Sequence, residues 1–264
     1  MKLLTKRAVL LATTLAMALL LGTGVAVLSS SSASLAATPL YPNLKTLTPH
    51  DLSFSQETIS GSTHNLLRFS NSVGNVGEGR LELAAKTVTT TSGKKTRVNQ
   101  RIYDSAGGYT SRYVGDMVFH EQHDHFHFEN FARYELWTRS GYDNWVASNR
   151  AQGQAIKRGT KTTFCVMDTD LIQGSSSKWY TTCTPDLQGL SVGWADTYKS
   201  NLWGQWIDLG TSPLPDGQYV LRSVADPNNR LYESAKRGDS SRESAQDNEA
   251  VTFFSIDGRT ITVR

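Results

Sequence analysis

The chain has 264 residues, 27 Lys+Arg against 24 Asp+Glu, and a formal net charge of +3. Three of the basic residues, Lys2, Lys6 and Arg7, fall in the first 36 positions with no acidic residue beside them, so the rest of the chain carries 24 of each sign. That neutrality gives nucleic-acid binding no compositional support, while the remaining 228 residues are enough for one all-β domain with a substantial core.

The first element in chain order is a targeting segment. Lys2, Lys6 and Arg7 precede an apolar stretch from Ala8 to Leu28, followed by Ser29 to Ser32 and a small-residue cleavage site at Ser34-Leu35-Ala36. Residues 1–36 therefore read as a signal peptide and 37–264 as the exported, secreted domain. The apolar stretch approaches the ~20 residues of a membrane span, so an uncleaved anchor is the alternative, and membrane contact is expected only in that case.

Beyond it, short β-type runs alternate with turn signals. Leu66–Phe69, Gly79–Leu83, Arg133–Trp137, Gln205–Leu209 and Gln218–Val224 read as strands, rich in β-branched, aromatic and alternating residues. Val251–Phe254 and Thr260–Val263, joined through Asp257-Gly258, read as a closing hairpin. Asn149 to Lys157 is the one window predicted to be a short helix. Thr87–Lys95 and Ala235–Asp247 read as long loops, and no internal repeat is present. The predicted fold class is all-β, a β-sandwich-like core with long irregular loops.

Between these runs lies the most specific feature of the chain. His120-Glu121-Gln122-His123-Asp124-His125-Phe126-His127 holds four of the six histidines, three of them at alternate positions. On an extended strand, side chains two apart share a face with Cα atoms roughly 6.6 Å apart. A local bend would then let the imidazoles of His123, His125 and His127 converge on an ion at about 2 Å. His120 breaks the alternation and would join them only through a bulge, so it is expected to stand behind the ligands. An all-imidazole set suits Cu, Zn, Fe or Ni rather than Mg or Ca, and the absence of a thiolate from the cluster is compatible with a redox copper.

Cys165 and Cys183 are the only cysteines, with 17 residues between them. Export favours their pairing, which would stabilise the fold by ~3 kcal/mol in the chain-entropy model; two buried free thiols are the other option.

Four ordered segments together resemble the lysyl oxidase family. The His120–Leu136 run, with Phe128-Glu129 and Tyr134-Glu135-Leu136, is similar to that family's copper-binding signature. Gly159-Thr160-Lys161-Thr162-Thr163-Phe164-Cys165-Val166-Met167-Asp168-Thr169 is similar to the segment that supplies a cofactor lysine, and Gln188-Gly189-Leu190-Ser191 through Asp196-Thr197-Tyr198 to Gln205-Trp206-Ile207-Asp208 to the one that supplies a cofactor tyrosine. Upstream, Asp51-Leu52 and Leu66–Ser70 also fit, so the likeness spans about residues 49 to 251.

The resemblance implies a copper amine oxidase with a lysine tyrosylquinone, His123, His125 and His127 being the copper ligands, Lys161 the lysine and Tyr198 the tyrosine. It implies oxidation of primary amines, as peptidyl lysine or small amines, to aldehydes by molecular oxygen, with release of hydrogen peroxide and ammonia. Copper and oxygen oxidise only an electron-rich ring such as tyrosine to a quinone, and a neutral amine must then add to it. A free lysine has a pKa near 10.4, so burial or nearby cations, such as Lys157 and Arg158, must lower it. Asp196 is the candidate catalytic base.

Departures from the family are visible. Animal members carry more cysteines, one where this chain has Gln122 and a further pair where it has Trp194 and Gly204. The Cys165–Cys183 link would be a rearranged pairing. A calcium site is matched in part: Asp51, Glu243, Asn248 and Glu249 could supply oxygens, but Ala245 stands where an acidic ligand is expected. Two other classes of protein share some of these residues. A cupin-type Fe or Mn oxygenase would use His123, His125 and Glu129, but no histidine follows His127 to complete it. A non-enzymatic exported copper- or zinc-binding protein needs the same histidines without Lys161 or Tyr198.

Overall fold

The structure is a computed structural model, and it describes residues 36–85, 95–121, 123–234 and 247–264. The signal segment, most of the two expected long loops, Gln122, Glu243 and Ala245 lie outside these residues.

The described domain is all-β, built from three antiparallel sheets, as the strand-rich sequence requires. One sheet orders the strands Thr163–Phe164, His125–Glu129, Tyr109–His120, Lys95–Asp104, Leu81–Ala85 and Leu187–Leu190, with Pro39–Leu40 beside Lys95–Asp104. A second runs Lys157–Arg158, Ala132–Thr138, Gly217–Ala225, Glu249–Asp257 and Thr260–Val263. The third centres on the 14-residue strand Ser62–Asn75, which pairs with His50–Ile59, Leu44–Thr46, Trp194–Tyr198 and Trp206–Gly210.

One core joins all three. Leu67 and Phe69 from the third sheet, Leu83 and Met117 from the first, and Leu221 and Phe254 from the second are buried in a single apolar cluster. The strands predicted from alternation are present: those around Leu66–Phe69, Arg133–Trp137, Gln218–Val224 and Val251–Phe254 are longer than expected, Leu81–Ala85 and Trp206–Gly210 are shifted by one or two residues, and Thr260–Val263 has the expected bounds. His50–Ile59, Lys95–Asp104 and Tyr109–His120 were not legible in the sequence, because half-exposed polar residues dilute their period; the burial pattern of Lys95–Asp104 nonetheless alternates along most of its length.

The helix lies elsewhere than expected. It spans Arg139–Ala147, not Asn149 to Lys157. Thr138 caps it by accepting the Gly141 amide at 3.1 Å, Arg139 and Asp143 form an i,i+4 pair, and Tyr142 and Trp145 pack on Trp137. Asn149 and Arg150 adopt φ of 53° and 67°, the left-handed region that ends a helix.

Candidate metal and cofactor site

The histidines are placed by a hairpin. Tyr109–His120 and His125–Glu129 pair in the register Met117↔Phe128, Val118↔His127, Phe119↔Phe126 and His120↔His125. Their connection is tight: the His123 amide donates to the His120 carbonyl at 3.0 Å, and Asp124 takes φ 55°, which its short polar side chain tolerates. The three ligand candidates are thus not on one strand. His125 and His127 are, while His123 comes from the turn, and the chain reversal supplies the bend that brings its ring round.

Ring nitrogens of His123, His125 and His127, each able to ligate a metal, all lie within 4.8 Å of one another. His127 Nε2 and His125 Nε2 stand 2.9 Å apart, a separation at which both nitrogens can sit about 2 Å from one ion and subtend about a right angle there. His127 Nδ1 faces the Thr163 hydroxyl at 3.2 Å, which fixes the ring and frees Nε2. His123 Nε2 is buried and has no hydrogen-bond partner among the described residues, as expected of a donor reserved for a cation. Burial, reinforced by the Lys161 charge, lowers His123 to about 4 and His127 to about 2, so these imidazoles stay neutral and able to ligate. The residues present fit a copper ion.

His120 is closer to this set than expected. As the cross-strand neighbour of His125 it stacks on His127 and meets His123 edge-on, with ring centroids 4.6 Å apart in each case. No bulge is needed, because a hairpin carries it to the same face. Reading 109–120 as the partner strand of 125–129 would have found it.

The lysine segment is the next strand in the same sheet. Thr163↔Glu129 and Phe164↔Phe128 pair it to the histidine strand, and Phe131 donates to the Thr162 carbonyl at 3.1 Å. Lys161 is therefore delivered beside the histidines, 7% exposed. Its Nζ stands 5.0 Å from the centre of the Tyr198 ring and 5.3 Å from that of Phe164, with no hydrogen-bond partner among the described residues. Burial lowers its pKa to about 8, against an opposing pull from Asp196. Lys157 and Arg158, considered as cationic neighbours, are exposed on a different sheet and do not contribute.

Tyr198 ends the Trp194–Tyr198 strand, opposite Asn71. Its hydroxyl accepts from the Cys165 amide at 2.8 Å and donates to the Cys165 carbonyl at 3.3 Å, and Phe164 meets its ring edge-on at 4.8 Å. Burial raises its pKa well above the usual phenol value. Asp196 is buried, with Oδ2 unpartnered among the described residues, and desolvation raises its pKa well above the carboxylate range despite the Lys161 charge. These nearby groups, a lysine poised towards neutrality and an aromatic ring at contact distance, fit a lysine–tyrosine crosslink.

Two features escaped the sequence reading. Gln188, fully buried, ties the segments together: its Oε1 accepts from the Val166 amide at 3.1 Å and its Nε2 donates to the Phe126 carbonyl at 2.7 Å. Gly189 beside it is required, since a Cβ there would lie 2.2 Å from the Leu81 carbonyl oxygen. Trp203 and Trp206, with His120, Lys161, Thr163 and Gly204, line a cavity of about 200 Å3 at the lysine.

Cys165 and Cys183 form the disulfide that the exported reading favours, with Cα atoms 5.5 Å apart. The partial calcium set is engaged otherwise. Glu249 is held by Arg150 and Arg222, Asn248 donates to Glu233 at 2.9 Å, and Asp51 accepts from Ser70 at 2.8 Å.

Comparison with known proteins adds a family match. Residues 97–249 fit the Lysyl oxidase family model. The chain is 32% identical over 118 residues to lysyl oxidase homolog 3B of Danio rerio and to lysyl oxidase homolog 3 of Homo sapiens. It is 30% identical over 117 residues to lysyl oxidase homolog 1 of Homo sapiens. Each alignment covers 44% of this chain but only 13%, 14% and 18% of the respective relative, so the chain spans less than a fifth of the length of these proteins.

Proposed function

The chain belongs to the lysyl oxidase family, and on that footing we propose that it is a copper-dependent amine oxidase acting on peptidyl lysine or small primary amines with molecular oxygen. The observation that carries the proposal is the Lys161 amine, buried and without a hydrogen-bond partner among the described residues, 5.0 Å from the Tyr198 ring centre and two residues before the strand that pairs with the histidine strand.

His123, His125 and His127 would hold copper, and Lys161 with Tyr198 would form the lysine tyrosylquinone. When bound, these groups supply the two-electron oxidation of a primary amine to an aldehyde, with ammonia and hydrogen peroxide as the other products. The chain's own residues do the rest. Thr163 orients His127, and the neutral imidazoles keep their lone pairs for the ion. The Cys165 backbone clamps the Tyr198 hydroxyl from both sides, so the ring cannot slide away from Lys161. Asp196, desolvated and with an Oδ2 that has no hydrogen-bond partner among the described residues, is the group we assign to accept and return the substrate proton, because a raised carboxyl pKa makes it a stronger base once ionised. Trp203 and Trp206 wall the cavity at Lys161 and offer apolar surface to an alkyl amine. Export of the protein rests on residues 1–36; among the described residues, no helix is long and apolar enough to cross a membrane.

The test is peroxide release. Copper-loaded, aerated protein should release hydrogen peroxide with a lysine-containing peptide or a diamine and none with a tertiary amine, hydrazines should block it irreversibly, and Lys161→Ala should be inactive yet bind copper. Turnover that survives Lys161→Ala, or ignores hydrazine, would overturn the quinone assignment. Copper binding without peroxide or a redox-cycling quinone stain would leave the alternative, a non-enzymatic exported copper- or zinc-binding protein.

A further inference from the structure

A second set of soft donors stands against the histidine cluster. The two sulfurs of Cys165 and Cys183 and a ring nitrogen of His125 all lie within 4.8 Å of one another, and Met167 Sδ is 3.7 Å from Cys183 Sγ. The oxidation reading above uses none of the three sulfurs.

We propose that, when the Cys165–Cys183 bond is reduced, the chain holds one Cu(I) ion on the two thiolates, His125 and the Met167 thioether, a site that exists only in the thiol state. Thiolate and thioether donors select Cu(I) over harder ions; here two cysteine sulfurs and an imidazole converge, with one thioether beside Cys183. The proposal does not depend on the oxidase reading, because it requires neither amine oxidation nor a Lys161–Tyr198 crosslink; Tyr198 enters only as the hydroxyl that holds the Cys165 backbone.

The frame that holds these donors does not depend on the sulfur–sulfur bond. Cys165 is fixed by its amide and carbonyl on the Tyr198 hydroxyl. Its neighbour Val166 is fixed by the Gln188 side chain and by accepting from the Gly189 amide at 2.9 Å. On the other side, Thr184 follows Cys183, and its carbonyl accepts from Gln188 Nε2 at 3.3 Å while its hydroxyl exchanges bonds with Leu187. Gln188 thus spans both cysteine segments, so opening the bond leaves the sulfurs neighbours. Cys183 and Met167 are partly exposed, which gives a reductant and an ion a way in.

The chemistry balances with one named co-reactant. A dithiol gives two electrons and two protons to the disulfide; the sulfur–sulfur bond breaks, two thiols form, and the dithiol becomes its own disulfide. Cu(I) then displaces the two thiol protons to solvent and forms two sulfur–copper bonds without changing its oxidation state.

The experiment uses the full chain, reduced with dithiothreitol and desalted without oxygen, titrated with Cu(I) against a chromophoric Cu(I) chelator. The reduced chain should bind one Cu(I) at least ten-fold more tightly than the oxidised chain, with an ultraviolet thiolate-to-copper absorption. That absorption should persist in His123→Ala and His127→Ala, vanish in Cys183→Ser, and accompany at least ten-fold weaker binding in His125→Ala. Equal affinity of oxidised and reduced chains, absorption that survives Cys183→Ser, or unchanged affinity in His125→Ala would each overturn the site. Loss of β-type circular dichroism on reduction would do the same, since the proposal requires the frame to outlast the bond.

Discussion

The amine of Lys161 faces the ring of Tyr198 at 5.0 Å from its centre, although 37 positions separate the two in sequence: Lys161 lies two residues before the Thr163–Phe164 strand of one sheet, and Tyr198 ends a strand of another. Aerobic production with copper should therefore yield a Lys161–Tyr198 crosslink in peptide mass mapping. Tyr198→Phe should lose the crosslink and keep the metal, because the phenol is not one of the imidazole donors. A quinone retained by that variant would refute the tyrosine assignment.

Copper should bind once per chain through the imidazoles. His125→Ala should abolish tight binding, measured by metal content after dialysis, and equal copper in wild type and variant would refute the site. Thr163→Val removes the partner of His127 Nδ1 and should weaken copper by about ten-fold or more, while leaving the fold intact by circular dichroism.

Lys161 should make the metal-free, uncrosslinked protein more stable as pH rises above neutrality. Its folded pKa is about 8 and its unfolded value near 10.4, so between these the unfolded chain binds more protons and stability increases with pH. Urea midpoints should rise from about pH 8 towards about 9.5, and Lys161→Met should flatten that slope. At higher pH the trend reverses, because buried Tyr134, Tyr180 and Tyr198 keep their protons in the fold after the unfolded phenols have lost theirs. A flat wild-type profile up to pH 9.5 would contradict the burial of a lowered Lys161.

Arg222 lies buried between Glu135 and Glu249, donating to Glu135 at 2.7 Å. Arg222→Ala would leave the Glu135 Oε2 without its arginine while Arg133 at 3.1 Å and Arg158 at 3.7 Å still face Oε1, so the loss, seen as a lowered urea midpoint, should fall below the roughly 3–5 kcal/mol of a fully uncompensated buried charge. Replacing Arg222 and Glu135 together by apolar residues should recover part of that loss. If the double variant were no better than the single one, the stranded charge would not be the cause.

Much of this protein was written locally. The alternating histidines and the alternation in strands such as Arg133–Trp137 depend on residues close in sequence, where period and spacing carry the information. The lysine and tyrosine were found only through likeness to a family, since a lone Lys161 or Tyr198 has no local pattern to separate it from a surface lysine or a core tyrosine.

What only the tertiary structure decided is who meets whom. The hairpin reversal placed His123 in a turn and brought His120 alongside, sheet pairing carried Thr163 to His127, and Gln188 joined two cysteine segments that sequence distance keeps apart. The helix moved to Arg139–Ala147 because Thr138 caps it and Trp137 packs it, contacts that outweigh intrinsic propensity. Burial lowered the Lys161 pKa, and burial depends on long-range packing. Local patterns fix which face a side chain takes along a strand; the partners across the sheets are chosen by the core they jointly exclude from water.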